Sequence, residues 1–211
     1  MMSKRTTGFA ALLLYCASAN ALDVSVLDVQ GQGVENAVVA LRGSEPQLAP
    51  AATYAIMDQV GREFVPYVVP VQAGTWVRFP NSDDIRHHVY SFSPAKRFEL
   101  KLYHGSTAEP VKFDTAGKVV LGCNIHDSMV GYVYVLDTPY YALSDAGGNA
   151  RITAPAGEYQ LEIQHPRSAE PTVQTVTLNG DDAKVSVTLT PLSPDPRNSE
   201  PKTELEQLFD R

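Results

Sequence analysis

The sequence predicts an all-β protein made of two β-sandwiches, on three observations. Short runs alternate apolar and polar residues, as in Glu158-Tyr159-Gln160-Leu161-Glu162-Ile163, which is the period of a half-buried strand. Gly, Pro, Asn and Asp clusters punctuate the chain at the roughly 8–12-residue intervals typical of sandwiches. No stretch repeats its apolar residues at the helical period.

Taken in order, Asp23 to Leu41 reads as two alternating runs around Gly31-Gln32-Gly33, and so as a hairpin. Gly43 to Pro50 is a polar linker. Thr53 to Val60 and Glu63 to Val71 read as strands, with Pro66 and Pro70 confining the second to an edge or a bulge. Thr75 to Phe79 is a strand ended by Pro80, and Asn81-Ser82-Asp83-Asp84 is a loop rich in local side-chain bonding. His87 to Phe92, Phe98 to Tyr103, Val111 to Phe113, Lys118 to Gly122 and Gly131 to Leu136 are further strands. Beyond Pro139 come strands at Ala150–Thr153, Glu158–Ile163, Thr172–Leu178 and Lys184–Thr190. Residues 191–211 are Pro-, Ser- and charge-rich and are expected to be disordered, with a helical turn at Thr203–Phe209.

The four strands after Pro139 would alone form a thin sheet with open edges. Adding Asp23–Leu41 completes a sandwich. Residues 51–138 are therefore expected to be a domain inserted between 22–50 and 139–190.

The first 21 residues read as an export signal: Lys4 and Arg5, an apolar stretch from Phe9 to Cys16, then Ala19-Asn20-Ala21 as the cleavage site. A periplasmic location follows as the expectation. Removing the signal takes the formal charge from −7 to −9, which disfavours nucleic acid and anionic membrane as partners. It also removes Cys16, leaving Cys123 alone. Exported proteins normally pair their cysteines, so a single thiol is either inert or occupied.

Cys123 opens a Cys-x-x-His-x-x-Met spacing with His126 and Met129, on a loop from Gly122 to Gly131. An upstream strand adds His87 and His88. One thiolate, two imidazoles and a weak thioether are the donor set that suits a one-electron copper centre. His87 and His88 point to opposite faces of a strand, so only one of them can join. His104 and His165 read as surface histidines, and Met57 as core. Trp76, Tyr132, Tyr134, Tyr140 and Tyr141 read as core or inter-domain packing.

Asn81-x5-His87-x-Val89, Phe113-x3-Gly117 and Cys123-x-x-His126-x-x-Met129-x-Gly131-x-Val133 resemble the cupredoxins, with the loop spacing of their amicyanin-like members. The resemblance runs from Met57 to Leu136. It implies a Greek-key β-sandwich and one type 1 copper ion held by His87, Cys123, His126 and Met129. Its register places His87 rather than His88 at the ligand position. Asn81, His88 and Asn124 are expected around the ligands, His88 standing where the family has an Asn that ties the ligand loops together. Gly122 and Gly131 are expected to let backbone pass close to the metal. Asp127-Ser128 departs from the apolar loop of the amicyanins.

Asp145-x-x-Gly148 and Pro155-x-Gly157-x-Tyr159-x-Leu161 resemble a transthyretin-like module. The chain as a whole is similar to periplasmic cupredoxins of the methylamine-utilisation type. That similarity implies one-electron transfer with a redox protein partner; the apolar run from Phe9 to Cys16 is too short for a membrane anchor, and a monomer is the expectation. A copper chaperone, store or sensor is the alternative. An enzyme using Cys123 and His126 is disfavoured, because a nucleophile and its base usually come from separate segments.

Overall fold

The structure is a computed structural model that describes residues 19–43, 54–105 and 109–198. The first two strands are β1 (Ala19–Leu27) and β2 (Val38–Arg42). A group of short strands follows: β3 (Tyr54–Ile56), β4 (Asp58–Val60), β5 (Glu63–Val65), β6 (Val68–Gln72) and β7 (Thr75–Arg78). Next come β8 (His87–Ser93), β9 (Lys96–Tyr103), β10 (Val111–Phe113), β11 (Gly117–Cys123) and β12 (His126–Leu136). The last are β13 (Tyr141–Leu143), β14 (Asn149–Pro155), β15 (Gly157–Gln164), β16 (Thr172–Leu178) and β17 (Ala183–Thr188), then a 3-10 turn at Pro196–Asn198. The described residues contain no α-helix. The all-β expectation holds.

One sandwich joins the first two described strands to the last five. Its sheets run β14-β1-β17 and β13-β2-β15-β16. Leu22, Val24, Val26 and Ile152 of the first sheet share a core with Val39, Leu41, Leu161 and Ile163 of the second. Residues 19–43 and 140–192 thus fold together, and the described residues between them build their own sandwich.

The expected hairpin at Asp23–Leu41 is not formed. The Asp28 carboxylate makes the turn by accepting the Gln30 and Gln32 amides, and a single antiparallel bridge joins Leu27 to Gly33, but β1 and β2 lie in different sheets. Period-two alternation says which face of a strand is buried; it does not say which strand lies beside it.

The middle sandwich sets the sheet β6-β12-β11-β8-β9 against β10-β7-β3, with a β4-β5 ribbon at its side. Phe79, Phe113, Val77, Val89, Leu121 and Val133 fill the space between. The single strand expected over Thr53–Val60 breaks at fully buried Met57, and Glu63–Val71 breaks at Pro66 and Tyr67. β6, which carries Pro70, takes a sheet edge, where a missing N–H is tolerated.

β12 explains how the two sandwiches meet. Val133 and Val135 face the middle core, while Tyr132, Tyr134 and Leu136 pack with Tyr67, Val68, Val38 and Ala40. A strand covered on both faces reads as a continuous apolar run, which is what Val130-Gly131-Tyr132-Val133-Tyr134-Val135-Leu136 is. Tyr67 and Tyr132 meet edge to face, with centroids 5.3 Å apart.

Residues 191–198 are placed, contrary to the expectation of disorder from 191 onward. Leu192 packs on the outer core, the Ser193 amide donates to the Arg167 carbonyl at 3.0 Å, and the Arg197 guanidinium lies 3.7 Å from the Tyr67 ring centre. A Pro- and charge-rich segment cannot bury itself, but here its neighbours supply the surface. His165, expected at the surface, is 5% exposed. The expected signal largely falls on residues 1–18, and the helical turn on 203–209, outside the described residues. Ala19, Asn20 and Ala21, on the leader side of the expected cut, open β1 opposite Pro155, Ala154 and Thr153.

Candidate metal centre

The ends of three strands meet at one edge of the middle sandwich. β8 begins at His87, β11 ends at Cys123, and β12 begins at His126. The loop expected from Gly122 to Gly131 is shortened to the turn Asn124-Ile125, with Cys123 and His126 paired across it. The register then jumps to Gly122↔Val130, which leaves Asp127, Ser128 and Met129 as a bulge. β8 is also irregular here: His87 pairs with Tyr103, but Val89 with Leu100. Bulges re-aim side chains, and both ladders break where the candidate ligands sit.

Three donor atoms converge as a result. Cys123 Sγ lies 4.0 Å from His87 Nδ1 and 3.7 Å from His126 Nδ1. The three ligand atoms fall within 4.8 Å of one another, and the two imidazole rings are 5.0 Å apart. Metal–sulfur and metal–nitrogen bonds of ~2.3 and ~2.0 Å, opened at tetrahedral to trigonal angles, require sulfur–nitrogen separations of about 3.5–3.8 Å. The observed spacings fit an ion between the three atoms with little adjustment. Met129 is 1% exposed and belongs to the same buried cluster as Cys123.

The two adjacent histidines part as strand geometry requires. His87 is fully buried and faces Cys123. His88 turns to the other face, its Nε2 2.9 Å from Glu99 Oε1, and does not tie the ligand loops together. Asn81 braces the segment that leads into β8. It is 3% exposed, its Nδ2 donates to the carbonyls of Ile85 and Tyr103, and its Oδ1 accepts the Asp83 amide. Asn124 is exposed at the turn.

Asp83, in the polar loop before β8, touches the site. His87 Nε2–H donates to Asp83 Oδ2 at 2.6 Å. The same carboxylate accepts the Gly61 amide at 2.6 Å and the Arg62 amide at 2.9 Å, both at the tip of the β4-β5 ribbon. Burial pushes its carboxyl up, but the Arg62 amide, the His87 ring and the Gly61 amide outweigh that and hold it below the usual carboxylate range. A carboxylate four residues before a buried histidine was the available signal, hidden among the other polar residues of the loop. Behind it, Tyr103 donates to the Phe79 carbonyl at 2.6 Å and accepts from Gln59 Nε2. Burial pushes its phenol up to about 12.

Gly122 and Gly131 make room for neighbouring rings. A Cβ at Gly122 would stand 2.9 Å from the Tyr90 ring, and one at Gly131 would stand 2.8 Å from Phe64 Cβ. His126 is half-buried, while Asp127 and Ser128 are exposed beside it.

The chain matches no protein-family model and no curated protein. Among solved structures it is similar to a purple cupredoxin from Nitrosopumilus maritimus, 21% identical over 39% of this chain and 99% of that one, with a TM-score of 0.35. It is similar to a reduced amicyanin mutant at 20% identity, over 46% of this chain and 99% of that one, with a TM-score of 0.35. It is similar to the pseudoazurin of Methylobacterium extorquens AM1 at 23% identity, over 41% and 77% of the two chains, with a TM-score of 0.35. These structural neighbours are cupredoxins, each at low identity and each over less than half of the chain.

Proposed function

We propose that the protein is a periplasmic electron carrier with one type 1 copper ion, its middle sandwich a cupredoxin and its outer one transthyretin-like. The observation that carries this reading is the convergence of Cys123 Sγ with the Nδ1 atoms of His87 and His126. Two imidazoles and a thiolate, with a thioether nearby in the sequence, favour copper over the harder cations, and the weak Met suits copper better than a closed zinc site. When bound, copper would supply a one-electron couple at this position.

The chain's own residues would do the rest. Cys123 binds as thiolate, and Met129 is the candidate for a long axial contact. His87 is held from behind by Asp83 on a buried strand end, and Cys123 is pinned at the end of β11. Ligands fixed by a rigid sheet move little between oxidation states. His126, half-buried, is the candidate route for electrons to a redox protein, and Asp127 places a negative charge beside it.

Addition of Cu(II) to the purified protein is the test. The expected result is an intense thiolate-to-copper absorption band that bleaches on reduction, returns on reoxidation, and is absent from Cys123→Ser. Colourless, readily exchanged Cu(I) binding would replace the carrier reading with a store or chaperone. Recovery of the protein from the periplasm with Leu22 at its N-terminus would support the export reading.

A further inference from the structure

The ring of His87 is fixed from both sides, and only one side is the candidate metal site. Its Nδ1 faces Cys123 Sγ, and its Nε2 meets the Asp83 carboxylate at 2.6 Å. The ring is fully buried, so no solvent competes for that proton. The carboxylate cannot swing away, because the amides of Gly61 and Arg62 hold both of its oxygens. Outer partners of this kind set the tautomer and the donor strength of ligating imidazoles.

We propose that Asp83 is the positioning residue of the centre: by accepting the Nε2 proton of His87 it presents Nδ1 as a lone pair toward Cys123, and its negative charge favours an oxidised ion over a reduced one. The first half concerns the protein alone, and the second half rests on the copper reading. A carboxylate makes the imidazole a stronger donor than a neutral acceptor would. A stronger donor stabilises Cu(II) more than Cu(I), so Asp83 holds the reduction potential down.

A purely structural role makes a different forecast. If Asp83 served only to brace the β4-β5 tip, its loss would weaken both oxidation states alike.

The experiment compares the wild type with Asp83→Asn, Asp83→Ala and the neighbouring control Asp84→Asn, whose side chain is exposed. Cu(II) and Cu(I) dissociation constants are measured by competition with chelators. Asp83→Asn is expected to weaken Cu(II) about tenfold relative to Cu(I), equivalent to about +59 mV for a one-electron couple. Asp84→Asn removes the same charge in solvent and is expected to leave the ratio within about twofold. An unchanged ratio in Asp83→Asn, or an equal shift in Asp84→Asn, overturns the charge role.

Ring nitrogen shifts of His87 in the metal-free protein test the positioning role without copper. The wild type is expected to show only the Nε2–H tautomer, and Asp83→Ala a mixture of both. An Nδ1–H tautomer in the wild type overturns the proposal. This arm reads out even in a protein that takes up no copper, so failure of the carrier reading stays separable from failure of the Asp83 role.

Discussion

The His165 ring bridges two loops of the outer sandwich by donating from Nε2 to the Glu35 carbonyl oxygen, 3.2 Å away. On its other side Nδ1 accepts the Arg167 amide at 3.2 Å. Both nitrogens are therefore committed in the neutral ring, and a proton on Nδ1 would face an N–H. Burial is the main reason the ring is pushed down to about 4 from 6.5. The unfolded chain then binds the proton first as pH falls. Stability from this group is complete above about pH 6.5 and is lost progressively toward pH 4, by on the order of 2–3 kcal/mol after allowance for partial solvation. Urea midpoints at stepped pH should fall across that window and fall less in His165→Gln. Carboxylates such as Asp195, held down chiefly by Arg197, act below about pH 3.8 and leave the window clear. Equal slopes in the two proteins would refute the assignment.

Ser144 closes the seam between β2 and the strands that follow the middle sandwich. Its Oγ donates to the Val34 carbonyl at 2.7 Å and accepts the Ala37 amide at 2.8 Å, with the residue 3% exposed. Ser144→Ala strands one buried donor and one buried acceptor of the backbone. A cost of about 1–3 kcal/mol follows, or a fall in melting temperature of about 2–12 °C at this chain length. Calorimetry reads this directly, and the metal site, built on other strands, should take up copper as before.

The glycines flanking the site should differ in cost. At Gly131 a methyl group meets Phe64 at Cβ, close to its backbone, where rotation gives little relief. At Gly122 it meets the far end of the half-buried Tyr90 side chain, which can swing out. Gly131→Ala should lose about 1–3 kcal/mol by overpacking, and Gly122→Ala clearly less. Chemical denaturation of the two variants decides the order. A larger loss in Gly122→Ala would mean that Tyr90 is pinned more firmly than its exposure implies.

Much of this architecture was legible because it depends on local pattern. Alternation gave the strands, and the Cys123, His126 and Met129 spacing marked a loop on which donors could converge. Strand alternation showed that only one of His87 and His88 could join, and the register of the cupredoxin resemblance pointed to His87. Strand partnership was not legible: Asp23–Leu41 alternates well, yet its halves lie in different sheets. The inward turn of Asp83 was not legible for a related reason. Its partners are the amides of Gly61 and Arg62, more than twenty residues upstream, and a polar loop gives no sign of which carboxylate turns inward. The placing of residues 191–198 was hidden too, since it depends on Tyr67, a residue of the other sandwich.

Copper and its removal should separate the two adjacent histidines. A ligand that binds only the folded state stabilises it by about 2.7 kcal/mol at one hundred times its dissociation constant, which is about 5–11 °C for a chain of this length. Wild type should gain that much on loading and lose it on chelation. His87→Ala removes one of the three converging donors and should lose both the absorption band and most of the thermal gain. His88→Ala removes a ring contact with Tyr90 and an ion pair with Glu99, which is 61% exposed and so worth about 0–1 kcal/mol, and should keep both. The decisive comparison is the copper-induced shift, not the melting temperature itself, because either substitution can change packing in the metal-free protein. A shift retained in His87→Ala and lost in His88→Ala would require the β8 strand to turn its other face inward when metal binds. The pairing of Tyr90 with Gly122 and the burial of Val89 oppose that rotation, since every side chain of β8 would have to change sides with it.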